Sequence, residues 1–97
     1  MSKLTIMCVD DDESVLNSLG EQLVRSFGQD YAIEMASSGE EALELLLELE
    51  TDGVEIPLII SDQIMPRMKG DQLLTQIHTL YPKPLKIMLT GPVDTEA

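Results

Sequence analysis

The chain has 97 residues, 43% of them hydrophobic, and six lysines and arginines stand against eighteen aspartates and glutamates for a net charge of −12. That length fits one small domain, and the charge argues against direct binding to nucleic acid or an anionic membrane while favouring a cation site or partners with basic surfaces. No signal-peptide pattern opens the chain and no run approaches the roughly 18 apolar residues of a membrane-crossing helix; the lone Cys8 points to a reducing, cytoplasmic setting.

Only Phe27, Tyr31 and Tyr81 are aromatic, so aliphatic packing must dominate the core. Thr5 to Val9 reads as a short buried strand, with Cys8 as a core thiol. Val15, Leu16, Leu19, Leu23, Val24 and Phe27 then follow helical spacing, and Gly28 stands where a C-cap belongs. Tyr31, Ile33 and Met35 alternate with Ala32, Glu34 and Ala36, which suits an edge strand.

Ser38-Gly39-Glu40-Glu41 has the form of a capping box. The helix it opens is expected to turn Ala42, Leu43, Leu46 and Leu47 inward and Glu44 and Glu48 outward. Gly53 and Pro57 close the connection to Leu58-Ile59-Ile60-Ser61, a strand apolar enough to be central. Leu73, Leu74, Ile77 and Leu80 mark a third helix, which Pro82 and Pro84 end, and Leu85 to Leu89 form a fourth strand running into Thr90. His78 falls off the apolar face. Met7, Met35 and Met88 read as core filling, and Met65 and Met68 as residues that shape a loop.

The order β-α-β-α-β-α-β implies a parallel sheet covered on both faces. The expectation is a flavodoxin-like, doubly wound α/β fold of strand order 2-1-3-4-(5), in a single domain over residues 1–97. Asp94 resembles the N-cap of a fourth helix. No fifth strand or last helix is legible, so the domain is expected to be truncated at its C-terminus or completed by another chain.

In such sheets ligands bind beyond the carboxyl ends of the strands, at the switch in strand order. Asp10, Asp11 and Asp12 follow the first strand there, Asp62 follows the third, and Thr90 ends the fourth. Clustered carboxylates oppose one another's ionisation unless a cation compensates. Oxygen ligands in a partly wet site suit Mg²⁺, and a carboxylate beside it can accept a phosphoryl group. An EF-hand also can be set up, with Asp10, Asp12, Ser14 and Glu21 at positions one, three, five and twelve, but Val15 occupies the glycine position. Asp10-x-Asp12-x-Ser14 also resembles the nucleophile motif of a haloacid-dehalogenase-type phosphatase using Asp10, with Thr90 as its second motif. The usual final residue is Thr or Val rather than Ser14, however, and Asp62 with its Met-Pro segment is left unexplained.

"VDDDES" after the first strand, "SDQIMPRMKG" after the third and "IMLTG" at the fourth resemble the response-regulator receiver domains of two-component signalling. The likeness spans nearly the whole chain, and its most specific part is Asp-x-x-Met-Pro-x-Met-x-Gly from Asp62 to Gly70. The resemblance implies that Asp62 is the phosphoacceptor and that Mg²⁺ is held by Asp10, Asp11, Asp62 and the backbone carbonyl of Ile64. It implies that Thr90 is the switch hydroxyl and that a histidine kinase or phosphotransfer protein is the donor. Such a protein is a phosphorylatable signalling domain rather than an enzyme. Asp12 matches no ligand and reads as a cap for the first helix. The family's phosphate-binding lysine, at the end of a fifth strand, has no counterpart among Lys3, Lys69, Lys83 and Lys86. This departure keeps open a second reading, a truncated or degenerate receiver that forms homodimers or swaps domains as an assembly module.

Overall fold

The computed structural model describes residues 4–89. Four strands and three helices alternate along them: β1 (Leu4–Val9), α1 (Glu13–Phe27), β2 (Tyr31–Ala36), α2 (Gly39–Thr51), β3 (Leu58–Asp62), α3 (Gly70–Leu80) and β4 (Leu85–Leu89). The strands are parallel in the order β2-β1-β3-β4, so the fold is the flavodoxin-like one expected, with β2 at an edge and β3 between two neighbours. No fifth strand occurs among the described residues, and Asp94 lies outside them.

The two faces of β1 and β3 feed separate cores. Met7, Val9 and Ile59 point to the face covered by α2 and α3, where they meet Ala42, Leu46, Leu73 and Ile77, all at most 2% exposed. Ile6, Cys8 and Ile60 point the other way, toward Leu16 of α1, with Leu19, Leu23 and Ile33 packed around them. Burial raises the Cys8 thiol to about 11, so it is a core group rather than a nucleophile.

The helix ends follow local chemistry. Asp12 Oδ1 accepts the Ser14 and Val15 N–H groups, and Ser38 Oγ accepts that of Glu41. The Ser38 box differs from expectation in one respect. The Glu41 carboxylate reaches back to the N–H and hydroxyl of Ser37, one residue before the cap, and these bonds hold its pKa below the usual value. Gly28 caps α1 from a right-handed backbone, and Gly53, at φ 76°, turns the chain after α2.

Several apolar residues are less buried than their spacing implies. Leu47 is 62% exposed and Leu80 61%, because α2 and α3 each turn a narrower stripe to the sheet. Tyr81 rather than Leu80 packs on the core at the end of α3. Met35 and Met88 are exposed rather than core filling, each on an outer strand of the described sheet, whereas Met7 is fully buried. Val15, Val24 and Phe27 of α1 are exposed too, since α1 is the one described helix on its side of the sheet.

Candidate functional site: an acidic cluster at the strand switch point

β1 and β3 are adjacent, but their following helices lie on opposite faces of the sheet, so a crevice opens beyond their carboxyl ends. Asp10 is the first residue past β1. Its N–H donates to the Ala36 carbonyl at 3.1 Å, which extends the β1–β2 ladder by one rung and fixes the residue. Asp62 is the last residue of β3 and pairs in register with Leu89 of β4. One carboxylate oxygen each from Asp10, Asp11 and Asp62 lies within 4.8 Å of the others.

The three acids differ in surroundings. Asp10 is 5% exposed, Asp11 is exposed and Asp62 is half-buried. Burial holds the Asp10 carboxyl above its usual value; the Asp12 N–H bonded to its Oδ1 at 2.9 Å opposes this, and the charges of Asp62, Asp11 and Asp12 add to it. Among the described residues the one side-chain ion pair joins Arg67 Nε to Glu40 Oε2 at 3.4 Å, so it neutralises none of the three. Three mutually repelling carboxylates with oxygen donors only form a set that suits a hard divalent cation.

The loop over residues 63–69 explains the residues that follow Asp62. A Cβ on Gly70 would stand 2.2 Å from the Asp62 carbonyl oxygen, so no larger residue fits without moving the backbone that carries the carboxylate. Met65 is buried, and Met68 sits against Gly39 at the start of α2, where a Cβ would meet its sulfur at 2.8 Å. Both methionines therefore shape the loop, as expected. Arg67 turns it in the left-handed region at φ 68°, and Ser61 Oγ donates to the Asp62 carbonyl at 2.9 Å.

The family model for the response regulator receiver domain matches residues 6–97. The chain belongs to that family. Among curated relatives, this receiver is 34% identical over 87 residues to the sensor kinase CckA of Brucella abortus, covering 90% of the chain and 9% of CckA. It is 32% identical over 98 residues to a probable cyclic di-GMP phosphodiesterase of Vibrio cholerae, covering 99% of the chain and 20% of that protein. It thus spans a fifth or less of either relative. The receiver domain of an HD domain-containing protein from Pseudomonas fluorescens superposes with a TM-score of 0.78 at 34% identity, over 98% of this chain and 70% of that one.

Receiver domains are signalling domains rather than classical enzymes, and they bind Mg²⁺ through an acidic pocket of the kind that Asp10, Asp11 and Asp62 form. Ile64 stands in the loop with its side chain 70% exposed. Asp12 turns away to cap α1, as its lack of a counterpart in the family pattern implied. Thr90 lies outside the described residues. His78 is a surface residue, its Nδ1 2.9 Å from Lys86 Nζ, and Lys86 is thereby occupied on the α3 side of the sheet. No described helix is long and apolar enough to cross a membrane.

Sequence reasoning passed over Gln63. The signal for it was Lys69, which occupies the N-cap position of α3 but carries no acceptor. A helix that starts without a capping oxygen of its own must draw one from elsewhere.

Proposed function

We propose that this receiver takes a phosphoryl group from a histidine kinase or a phosphotransfer protein onto Asp62 and thereby switches an output carried by another domain or protein. The observation that supports it best is the meeting of Asp10, Asp11 and Asp62 within 4.8 Å at the ends of two non-consecutive strands. An Asp62 oxygen attacks phosphorus, the bond from phosphorus to the donor's imidazole nitrogen breaks, and the electron pair leaves with that nitrogen, which takes up a proton. Asp10, Asp11, Asp62 and the Ile64 carbonyl would hold Mg²⁺, which supplies charge compensation for the carboxylates and the transferred oxygens. Thr90, next in sequence after Leu89, would turn its hydroxyl to the phosphoryl group as the switch.

Accessibility favours Asp62 over Asp10 as the acceptor. Asp10 is 5% exposed and one of its oxygens is taken by the Asp12 N–H, whereas Asp62 is half-buried at the crevice. That also weighs against a phosphatase using Asp10. The net charge of −12 fits a domain that works in the cytoplasm on basic protein surfaces and leaves nucleic acid and membrane alone. One relative is named a sensor kinase and another a probable phosphodiesterase, which agrees with a receiver serving outputs beyond itself. The test is incubation with a small acyl phosphate and Mg²⁺, followed by intact mass. A phosphoadduct is expected on the parent and not on Asp62→Asn; an adduct that survives that substitution refutes the assignment.

A second reading, as a homodimeric or domain-swapped assembly module, draws on β4. Leu85, Ile87, Met88 and Leu89 are all at least 38% exposed on a strand that pairs with β3 alone among the described residues. Light scattering decides it, since a chain that stays monomeric at micromolar concentration is not such a module.

A further inference from the structure

Gln63 follows the phosphoacceptor directly and makes three bonds that diverge from it. Its N–H donates to the Leu89 carbonyl at 3.1 Å, tying the end of β3 to the end of β4. Its own carbonyl accepts the Gly70 N–H at 3.0 Å. Its side-chain Oε1 accepts the Asp71 N–H at 2.7 Å, from eight residues away. Two of the free N–H groups that open α3 are thus satisfied by one residue at the far side of the loop.

A helix cap ordinarily comes from the residue just before the helix. α3 has Lys69 there, which donates but cannot accept, and Gln72 can only reach back to the Lys69 N–H at 3.0 Å. The acceptor is drawn instead from the residue bonded to Asp62. The loop of residues 64–69 becomes an excursion whose two ends are clasped together, and a displacement of the α3 start is passed to Asp62 across a single peptide unit. Asp62 has to meet Asp10 and Asp11 from a different strand, so its place depends on where the end of β3 is held.

We propose that Gln63 is a positioning residue for Asp62, holding the carboxylate in register with Asp10 and Asp11 by clasping β3 to the first turn of α3. This rests on the reading of Asp62 as phosphoacceptor. The competing role, a cap that stabilises α3 and nothing more, predicts a change in helix protection without a change in chemistry.

Gln63→Asn keeps the amide and its neutrality but is one methylene too short to reach Asp71, and Gln63→Met keeps the length without an acceptor. On the full chain, with saturating Mg²⁺ and a small acyl phosphate as donor, both are expected to form the phosphoadduct about tenfold more slowly at saturating donor, with the half-saturating donor concentration unchanged. Both should speed hydrogen exchange at the Asp71 amide, and Gln63→Glu, which keeps an acceptor at full reach, should restore its protection. If exchange quickens while the adduct forms within about twofold of the parental rate, Gln63 is only a cap and the inference fails. Unchanged exchange in Gln63→Asn, or lost protection in Gln63→Glu, refutes the clasp itself. Should Gln63→Met not fold, Gln63→Asn decides alone. A parent chain that forms no adduct at all overturns the phosphoacceptor reading and this inference with it, whereas an adduct on the parent that Gln63→Asn forms equally fast overturns the inference only.

Discussion

Adjacent aspartates can serve different ends because a chain leaving a strand changes direction at each residue. Asp10 is still held by the sheet and is 5% exposed, Asp11 reaches the cluster from solvent, and Asp12 has already turned to cap α1. Asp10 therefore carries a cost that a cation would relieve. Its carboxyl is held above the usual 3.8 by burial first and by the neighbouring acids after it. The folded chain then binds that proton more tightly than the unfolded chain does. Its contribution to stability is complete below the unfolded value and is lost as pH rises through the raised one. Asp10→Asn keeps the acceptor for the Asp12 N–H without this loss. Without divalent cations it is expected to unfold at a higher temperature than the parent at about pH 7, with the gap closing as pH falls below about 4. A gap of constant size across that range contradicts the assignment.

At the scale of elements, periodicity made the order and type of all seven elements legible, and the acid positions with them. It could not say how wide a stripe each helix turns inward, since that depends on how the helix seats on the sheet. Leu46 and Leu47 are neighbours of the same chemistry, yet one is 1% exposed and the other 62%. Leu46→Ala is expected to cost about 2–5 kcal/mol and Leu47→Ala less than about 0.5 kcal/mol in urea unfolding. Similar losses at both sites refute the seating of α2. The loop after β3 was legible as a motif but not as a structure. What Gly70 does becomes clear only where a Cβ meets the Asp62 carbonyl at 2.2 Å, and what Gln63 does only where its side chain meets Asp71. Both contacts cross an irregular loop between a strand and a helix, where neither period continues from one element into the other. Gly70→Ala must shift the backbone beside the acceptor, so it should destabilise the chain by about 1–3 kcal/mol and slow adduct formation. An alanine variant with parental stability and rate shows that the loop yields without displacing Asp62.

For the whole molecule, two kinds of charge relief have to be told apart. A net charge of −12 on 97 residues repels itself throughout, and any salt lessens that by screening. The cluster of Asp10, Asp11 and Asp62 is a local problem, which a cation bound among the three carboxylates relieves and a distant one does not. Screening follows ionic strength and takes no account of which acid is removed. Site binding follows the concentration of the particular ion, and each tenfold rise above its dissociation constant adds about 1.4 kcal/mol until other effects intervene. With sodium chloride adjusted to hold ionic strength constant, Mg²⁺ is expected to raise the unfolding temperature of the parent progressively. It should leave Asp62→Asn and Asp11→Asn almost unmoved, while sodium chloride alone raises all three alike. Asp11 is the more telling position, because it is exposed and its side chain makes no hydrogen bond or ion pair among the described residues that its removal would break. An equal response of the parent and Asp11→Asn to Mg²⁺ at fixed ionic strength would assign the effect to the charge of the molecule at large and leave the cluster without a resident cation.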